Sequence, residues 1–504
     1  MPPLFPYRLV LSISITLARD SGATRKDEKG ITLAARPAER RGKTKNKIEH
    51  SCDSDAGLVT TASASVAQSA SRLGLLSLVC VMYLVVSGGA YGLEDAVSLA
   101  GPRLTILLCL LVPITLSLPT ALMAAELTAL MPVEGGFYFW VKSALGPFAG
   151  FAEAYLTILY TAVDTTIYPV LFVTYLSFVI PLGAAGQMIV AVAIIWLCGL
   201  LNIMGVRLVG GTSVVLTAIL IAPFLALVVV GLPRLIHWQP PMVPINGGNF
   251  LGGLGAGLSV VIWNFGGWEN LSVVAAESEA PRRNYLRAVA IALPLVVLGY
   301  LLPLGVSLSG AKATAQWHVG WFAQEGYLLG GPLLGVALAV GGAVSAFAVF
   351  EAAMLWVSRM PFVLARERYF PRGLAKIWST NATPGRSIIV CCAVFSVLLP
   401  LGFVSLVVLD VFFYMGALVL EMAALIRLRR YYPRRDGLFM IRGGRAALVA
   451  TAAGPIVTWF ATFGLAVAHG DGKADFAIAI ALAASAWPAY ALLRWRYRGP
   501  EGPP

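Results

Sequence analysis

Along the chain, apolar and polar positions fall into long blocks. From about residue 73 onward, runs of about 20 apolar residues, the length of helix that spans a bilayer, are separated by short polar connections rich in Arg, Gly and Pro. Twelve such runs can be counted, centred near Val86, Val112, Leu159, Ala193, Ile219, Trp263, Val296, Val340, Val394, Leu418, Trp459 and Ala483. The pattern predicts an all-α membrane protein with twelve transmembrane helices. Residues 1–70 are of another kind, polar and rich in Arg, Lys, Ser and Ala, with no sustained apolar period beyond RLVLSISITL. They are expected to form a disordered tail. A secretory signal there lacks a convincing cleavage site, and an extended reading frame with a later start is the alternative.

Two of the apolar runs are interrupted. Ser87 to Asp95 reads SGGAYGLED, and Trp263 to Glu269 reads WNFGGWE. Glycine costs about 1 kcal/mol in a helix interior, so Gly88, Gly89 and Gly92 in the first helix, and Gly266 and Gly267 in the sixth, mark places where the helix unwinds. Unwound backbone at membrane depth is tolerated only inside protein or beside a water-filled cavity. Matching interruptions in two halves of a chain point to a midplane site between inverted repeats. The halves are then helices 1–5 (residues 71–240) and helices 6–10 (241–430), a five-plus-five inverted repeat with broken helices 1 and 6. Residues 431–504 add two C-terminal helices and a short cytoplasmic tail.

Carboxylates inside membrane helices are rare and costly, and by default mark substrate or proton pathways. Four are singled out: Glu94, Asp164, Glu269 and Glu351, the last two helical counterparts of the first two in the second half. The assigned spans hold no interior Lys or Arg to pair with them. All four are expected to face one region and to be candidates for proton coupling. The substrate site is expected to comprise Ser87, Gly88, Gly89, Ala90, Tyr91, Gly92 and these four acids, with Phe265, Gly266, Gly267 and Trp268. Asp95 and Glu126 lie nearer the interface, Glu153, Glu277 and Glu421 read as helix-end or structural residues, and Asp410 is left unassigned. Acids beside aromatics suit an amine-bearing cation, through an attraction worth about 2 kcal/mol when desolvated. Free N–H groups at a broken helix suit a carboxylate instead. Both chemistries stay open on the residues alone.

Composition agrees with the membrane assignment, since 58% of residues are hydrophobic and 12% charged. The net charge of +12 does not imply nucleic acid, because the bases sort by connection. With the N-terminus inside, the outer connections hold only Arg103, Arg234, Lys312 and Lys473, while Arg282, Arg283, Arg287, the set from Arg359 to Arg386 and that from Arg427 to Arg445 fall on the inner side. This positive-inside bias places both termini in the cytoplasm, and the plasma membrane is the expected location. Six cysteines lack metal-ligand or disulfide spacing, and His50, His237, His318 and His469 fall outside the spans. There is no phosphate loop, HExxH or GxSxG motif. No enzyme activity, metal or cofactor is expected; the partners are a small-molecule substrate, a proton and the lipid bilayer.

VSGGAYGLEDAVSLAGP, LMPVEGGFYFWVKSALGPFAGF, YPVLFVTYL and WNFGGWENLSVVAAESEAPRRNY together resemble the amino acid–polyamine–organocation superfamily, and most of all its polyamine:proton symporters. The resemblance runs from about residue 73 to 428. It implies the five-plus-five fold with two extra helices, secondary transport of polyamines or related organic cations with protons, and, as the second possibility, an amino acid permease or exchanger. It carries the glycine motif onto Gly88, Gly89 and Gly92 and the acidic positions onto Glu94, Asp164, Glu269 and Glu351. The chain departs from that pattern at Ala90, where the family has proline, at Gly266 and Gly267, where larger residues are usual, and at Glu269, where Asp is more common.

Overall fold

A computed structural model describes residues 75, 79, 82, 83, 86–131, 136–204, 213–236, 250–270, 281–310, 317–366, 370–378, 383–431, 439–468 and 473–496. The expected tail at 1–70, His50, His237 and His469 lie outside the described residues, as do residues 278–280 of the SEAPRRNYLR segment.

The first apolar run is helical where described between 75 and 86, is non-helical from Ser87 to Leu93, and resumes as α1, Glu94–Ala100. After Gly101 come α2 (Pro102–Val112), a π-helical turn (Pro113–Ser117) and α3 (Leu118–Leu130). Pro113 and Pro119 lack the N–H that an α-helix interior requires, and the wider π turn lets the helix run through them. The connector helix α4 (Gly136–Leu145) buries Trp140, Val141 and Ala144. Next are α5 (Pro147–Val179), α6 (Ala184–Ile203) and α7 (Ser213–Ile236).

Next comes α8 (Phe250–Phe265), which ends at a glycine pair followed by a short 3-10 turn, Trp268–Asn270. The chain continues with α9 (Pro281–Ser309) and α10 (Trp321–Val357). α10 is really two helices meeting at Gly331, whose φ of 73° and ψ of −169° stop the first, while Pro332 starts the second. A short α11 (Arg359–Arg366) leads to α12 (Gly385–Leu398) and α13 (Gly402–Tyr431). The last elements are α14 (Gly444–Ala468), α15 (Lys473–Ala484) and α16 (Ala486–Arg496).

Among the described residues, nine helical stretches are long and apolar enough to cross a membrane, and a shorter apolar helix covers Gly253–Phe265. One of the nine, Gly385–Arg430, contains both α12 and α13, separated at Gly402 with φ 72°. The protein is therefore an all-helical multi-pass membrane protein.

α5 lies at the centre, packed along its length against α10 and α13, while α8 packs against α1, α13 and α14. At 33 residues and 1.5 Å per residue, α5 is about 50 Å long, more than the ~30 Å hydrocarbon core. The bundle is inverted relative to a soluble protein. Large apolar side chains stand exposed on its periphery, among them Ile189, Leu200, Leu225, Val229, Leu295, Val397 and Phe460, whereas Glu94, Glu153, Thr161, Thr165, Glu269 and Glu351 are buried. Lipid is the natural cover for such a periphery, since water-facing surfaces rarely carry apolar patches of that extent.

Candidate amine site at the sixth-helix break

At the first break, Gly89 and Gly92 take φ values of 90° and 87°, a region glycine enters without the clash a Cβ brings. A Cβ on Gly92 would stand 3.0 Å from the rings of both Phe403 and Trp263. The polar backbone released by unwinding is satisfied inside the protein. The Gly89 N–H donates to Ser87 Oγ (3.3 Å), the Ser345 hydroxyl donates to the Gly88 carbonyl (3.0 Å), and the Gly92 N–H donates to Glu94 Oε2 (2.7 Å). Ala90 and Tyr91 are buried. The Tyr91 hydroxyl donates to the Leu338 carbonyl (3.0 Å), and its ring packs against Tyr175 and Phe224.

Glu94 is the hub of this region. Besides the Gly92 amide it accepts the Tyr175 hydroxyl of α5 at 2.5 Å and the Gly320 N–H at 3.2 Å, while its neighbour Asp95 accepts the Val319 N–H at 2.8 Å. Three donors converge on one carboxylate. Hydrogen bonds to a charged group contribute about 1.5–3 kcal/mol each, so Glu94 is held as a clamp between the broken helix, α5 and the segment leading into α10. The sequence offers it as a counter-charge for a ligand; its internal partners give it a different occupation.

The sixth-helix break is built differently. Here the orphan carbonyls at the end of α8 accept neutral hydroxyls, Tyr300 to Asn264 (2.8 Å) and Ser117 to Phe265 (2.9 Å). Gly267, at φ 83°, donates its N–H to the Tyr414 hydroxyl of α13 (3.1 Å), which in turn donates to Glu269 Oε2 (2.8 Å). Phe265 packs edge-on against Tyr300 as a core residue. Trp268 is fully buried, and its Nε1 has no hydrogen-bond partner among the described residues.

Around this break the carboxylates gather. Asp164 of α5 accepts the Trp263 indole N–H at 2.9 Å and the Tyr168 hydroxyl at 3.2 Å. Asp410 of α13 is 5% exposed, lies within electrostatic reach of both Asp164 and Glu269, and has no partner for Oδ1 among the described residues. Three acids from three elements therefore meet beside Trp263, Tyr168 and Tyr414. Among the described residues, no Lys, Arg or His contributes to the interactions resolved for Asp164 or Asp410.

Glu351 is placed apart from them. It is buried on α10, within electrostatic reach of Cys198 of α6, and its neighbour in sequence Phe350 packs in an apolar cluster with Cys198, Phe395 and Cys392. Of the four acids expected to face one region, the structure brings Asp164 and Glu269 together, ties Glu94 into the first break, and sets Glu351 toward α6. Glu126 is also accounted for: it accepts the Ile441 N–H (2.7 Å) and pairs with Arg429 Nε at 3.3 Å, joining α3 to the end of α13.

The sequence model of the amino acid permease family matches residues 73–483. The chain belongs to that family. It is also similar to a polyamine transporter of Arabidopsis thaliana, RMV1, with 32% identity over 77% of this chain and 79% of the relative, and to polyamine transporter PUT1 of rice (Oryza sativa subsp. japonica), with 31% identity over 77% and 72%. A protein described as a probable polyamine transporter of Arabidopsis thaliana is 30% identical over 80% and 84%. The permease is thus a transporter of the amino acid–polyamine–organocation superfamily and not an enzyme.

Three residues of this permease's acidic site escape a reading based on glycine breaks alone. Asp410 and Tyr414 lie four positions apart on α13 and so share a face, and Trp263 sits one turn before the break it flanks. The available signal was that spacing on an otherwise apolar helix, which tells which face is polar but not which neighbour it meets.

Proposed function

We propose that this permease is a secondary active transporter that moves polyamines or related amine-bearing organic cations across the plasma membrane, with protons and by alternating access. The observation that carries this reading is the convergence of Asp164 and Asp410 with Glu269 at the sixth-helix break, where, among the described residues, the interactions resolved for Asp164 and Asp410 include no basic side chain. Grouped carboxylates in a low-dielectric interior are costly, and an ammonium supplies a balancing charge. Trp263, Tyr168 and Tyr414 add faces and edges suited to a cation and its methylene chain. The names of the relatives point to the same substrate class. In this reading the chain has twelve spans arranged as a five-plus-five inverted repeat, with both termini cytoplasmic. An inward-negative potential then favours uptake by about 2.3 kcal/mol per charge per 100 mV.

The amino acid alternative needs amides at the breaks to hold an α-carboxylate. Those of Gly89, Gly92 and Gly267 are taken by Ser87, Glu94 and Tyr414, which supports the cation reading over it. The test is uptake of labelled putrescine into proteoliposomes under an imposed proton gradient. Asp164→Asn should lower initial uptake by about 100-fold or more, as expected on removing a buried counter-charge worth about 3 kcal/mol. Uptake undiminished in that variant sinks the assignment.

A further inference from the structure

The acidic site does not end at the membrane midplane. On α5, Glu153, Thr157, Tyr160 and Asp164 fall at helical spacing, and on α13 so do Asp410, Tyr414 and Glu421. Glu153 and Asp164 are eleven positions apart, as are Asp410 and Glu421. Eleven residues is close to three turns, so each pair lies on one face of its helix with about 16 Å between its members. α5 and α13 pack against each other along this length. Asp164 meets Asp410 at one end, and Glu153 meets Glu421 at the other, with Tyr160 and Tyr414 in edge-to-face contact at 5.6 Å between them.

The lower pair is sealed. Glu153 is 1% and Glu421 4% exposed. Glu153 Oε1 accepts the Thr157 hydroxyl at 2.8 Å, while Glu421 Oε2 has no hydrogen-bond partner among the described residues. The groups acting on Glu421 are Glu153 and Glu269, both acids. Among the described residues of adjoining elements, Arg429 is paired with Glu126 and Lys142 lies over the Tyr138 ring. Two neighbouring carboxylates buried this deeply cannot both be charged at acceptable cost. A site this closed, where two carboxyl groups stand with the Thr157 hydroxyl, fits one cation, the proton. Its end of α13 continues into Arg427, Arg429 and Arg430, the basic side assigned to the cytoplasm.

Resting on the transport reading above, we infer that the Glu153–Glu421 pair is the proton site of this permease, set apart from the amine site and joined to it by the Thr157, Tyr160 and Tyr414 hydroxyls. The step is a proton transfer only. One O–H bond forms on a glutamate as one breaks in hydronium, and the reverse occurs on release. Separating the two sites lets the amine occupy Asp164, Glu269 and Asp410 while its driving proton travels the seam between α5 and α13.

Glu153→Gln and Glu421→Gln, which preserve shape, test this in proteoliposomes by two modes and one direct signal. Counterflow exchange of putrescine, or of whichever amine or amino acid the wild type exchanges, at equal pH on both sides needs no net proton movement and should stay within ~3-fold of wild type. Accumulation driven by a pH gradient, and the substrate-elicited proton flux seen with an entrapped pH dye, should fall by at least ~10-fold. Wild-type proton flux in both variants overturns the inference, as does equal loss of exchange and accumulation in variants whose thermal unfolding is unchanged. A wild type that exchanges substrate without moving protons overturns it while leaving the transport reading intact; a wild type that exchanges nothing removes that reading itself.

Discussion

The two interrupted helices use the same ingredients, a glycine turn, aromatics and a carboxylate, and assemble opposite things from them. At the first break Glu94 turns inward and is filled by donors from Gly92, Tyr175 and Gly320. At the sixth, Glu269 receives the Tyr414 hydroxyl and stands near Asp410, on which the other acting groups resolved are the acids Asp164 and Glu269. Glu94 is met by three donors from three separate segments, two of them backbone amides, whereas Asp410 keeps an oxygen with no partner among the described residues and faces other acids. Burial alone does not separate the cases, because Glu94 and Glu269 are 0% and 2% exposed. The partners do.

The largest effect that would sharpen this contrast is expected at Asp410. Asp410→Asn should reduce amine uptake by about 100-fold with little change in thermal stability, since removing one of several like charges also relieves repulsion; uptake assays paired with thermal unfolding of the same preparations check it. Glu94→Gln should do the reverse in kind. It turns an acceptor toward donors with an amide NH2, costing about 1.5–3 kcal/mol per disrupted bond, so unfolding temperature falls clearly while the preference for amines over amino acids persists. A Glu94→Gln variant of unchanged stability that no longer distinguishes amines from amino acids would collapse the comparison. The smallest effect is expected for Glu351→Gln, within about 2-fold of wild-type uptake, because the side chain lies by Cys198 and away from the break. A loss comparable to that at Asp410 would return Glu351 to the substrate path.

The breaks, the acids and the apolar spans were legible in the sequence because each is a local signal. Glycine where a helix should continue, and a carboxylate where lipid should be, announce themselves without knowledge of neighbours. What was not legible is which partner each acid meets. Nothing in SGGAYGLED reveals that Tyr175, 81 positions away, donates to Glu94, nor does AFAVFEAAML reveal that Glu351 faces α6. Glu153 and Glu421 read as helix-end residues for the same reason. Their eleven-residue spacings to Asp164 and Asp410 become meaningful only once α5 and α13 are seen side by side.

The central claim is that the acids gathered at the sixth-helix break hold an amine rather than a zwitterion. Equilibrium binding of labelled putrescine to the purified protein, with unlabelled diamines, triamines and neutral α-amino acids as competitors, tests it most directly. Displacement by diamines and triamines, and none by amino acids at ~100-fold higher concentration, is the predicted result. Displacement by an amino acid while diamines leave the signal untouched would contradict it.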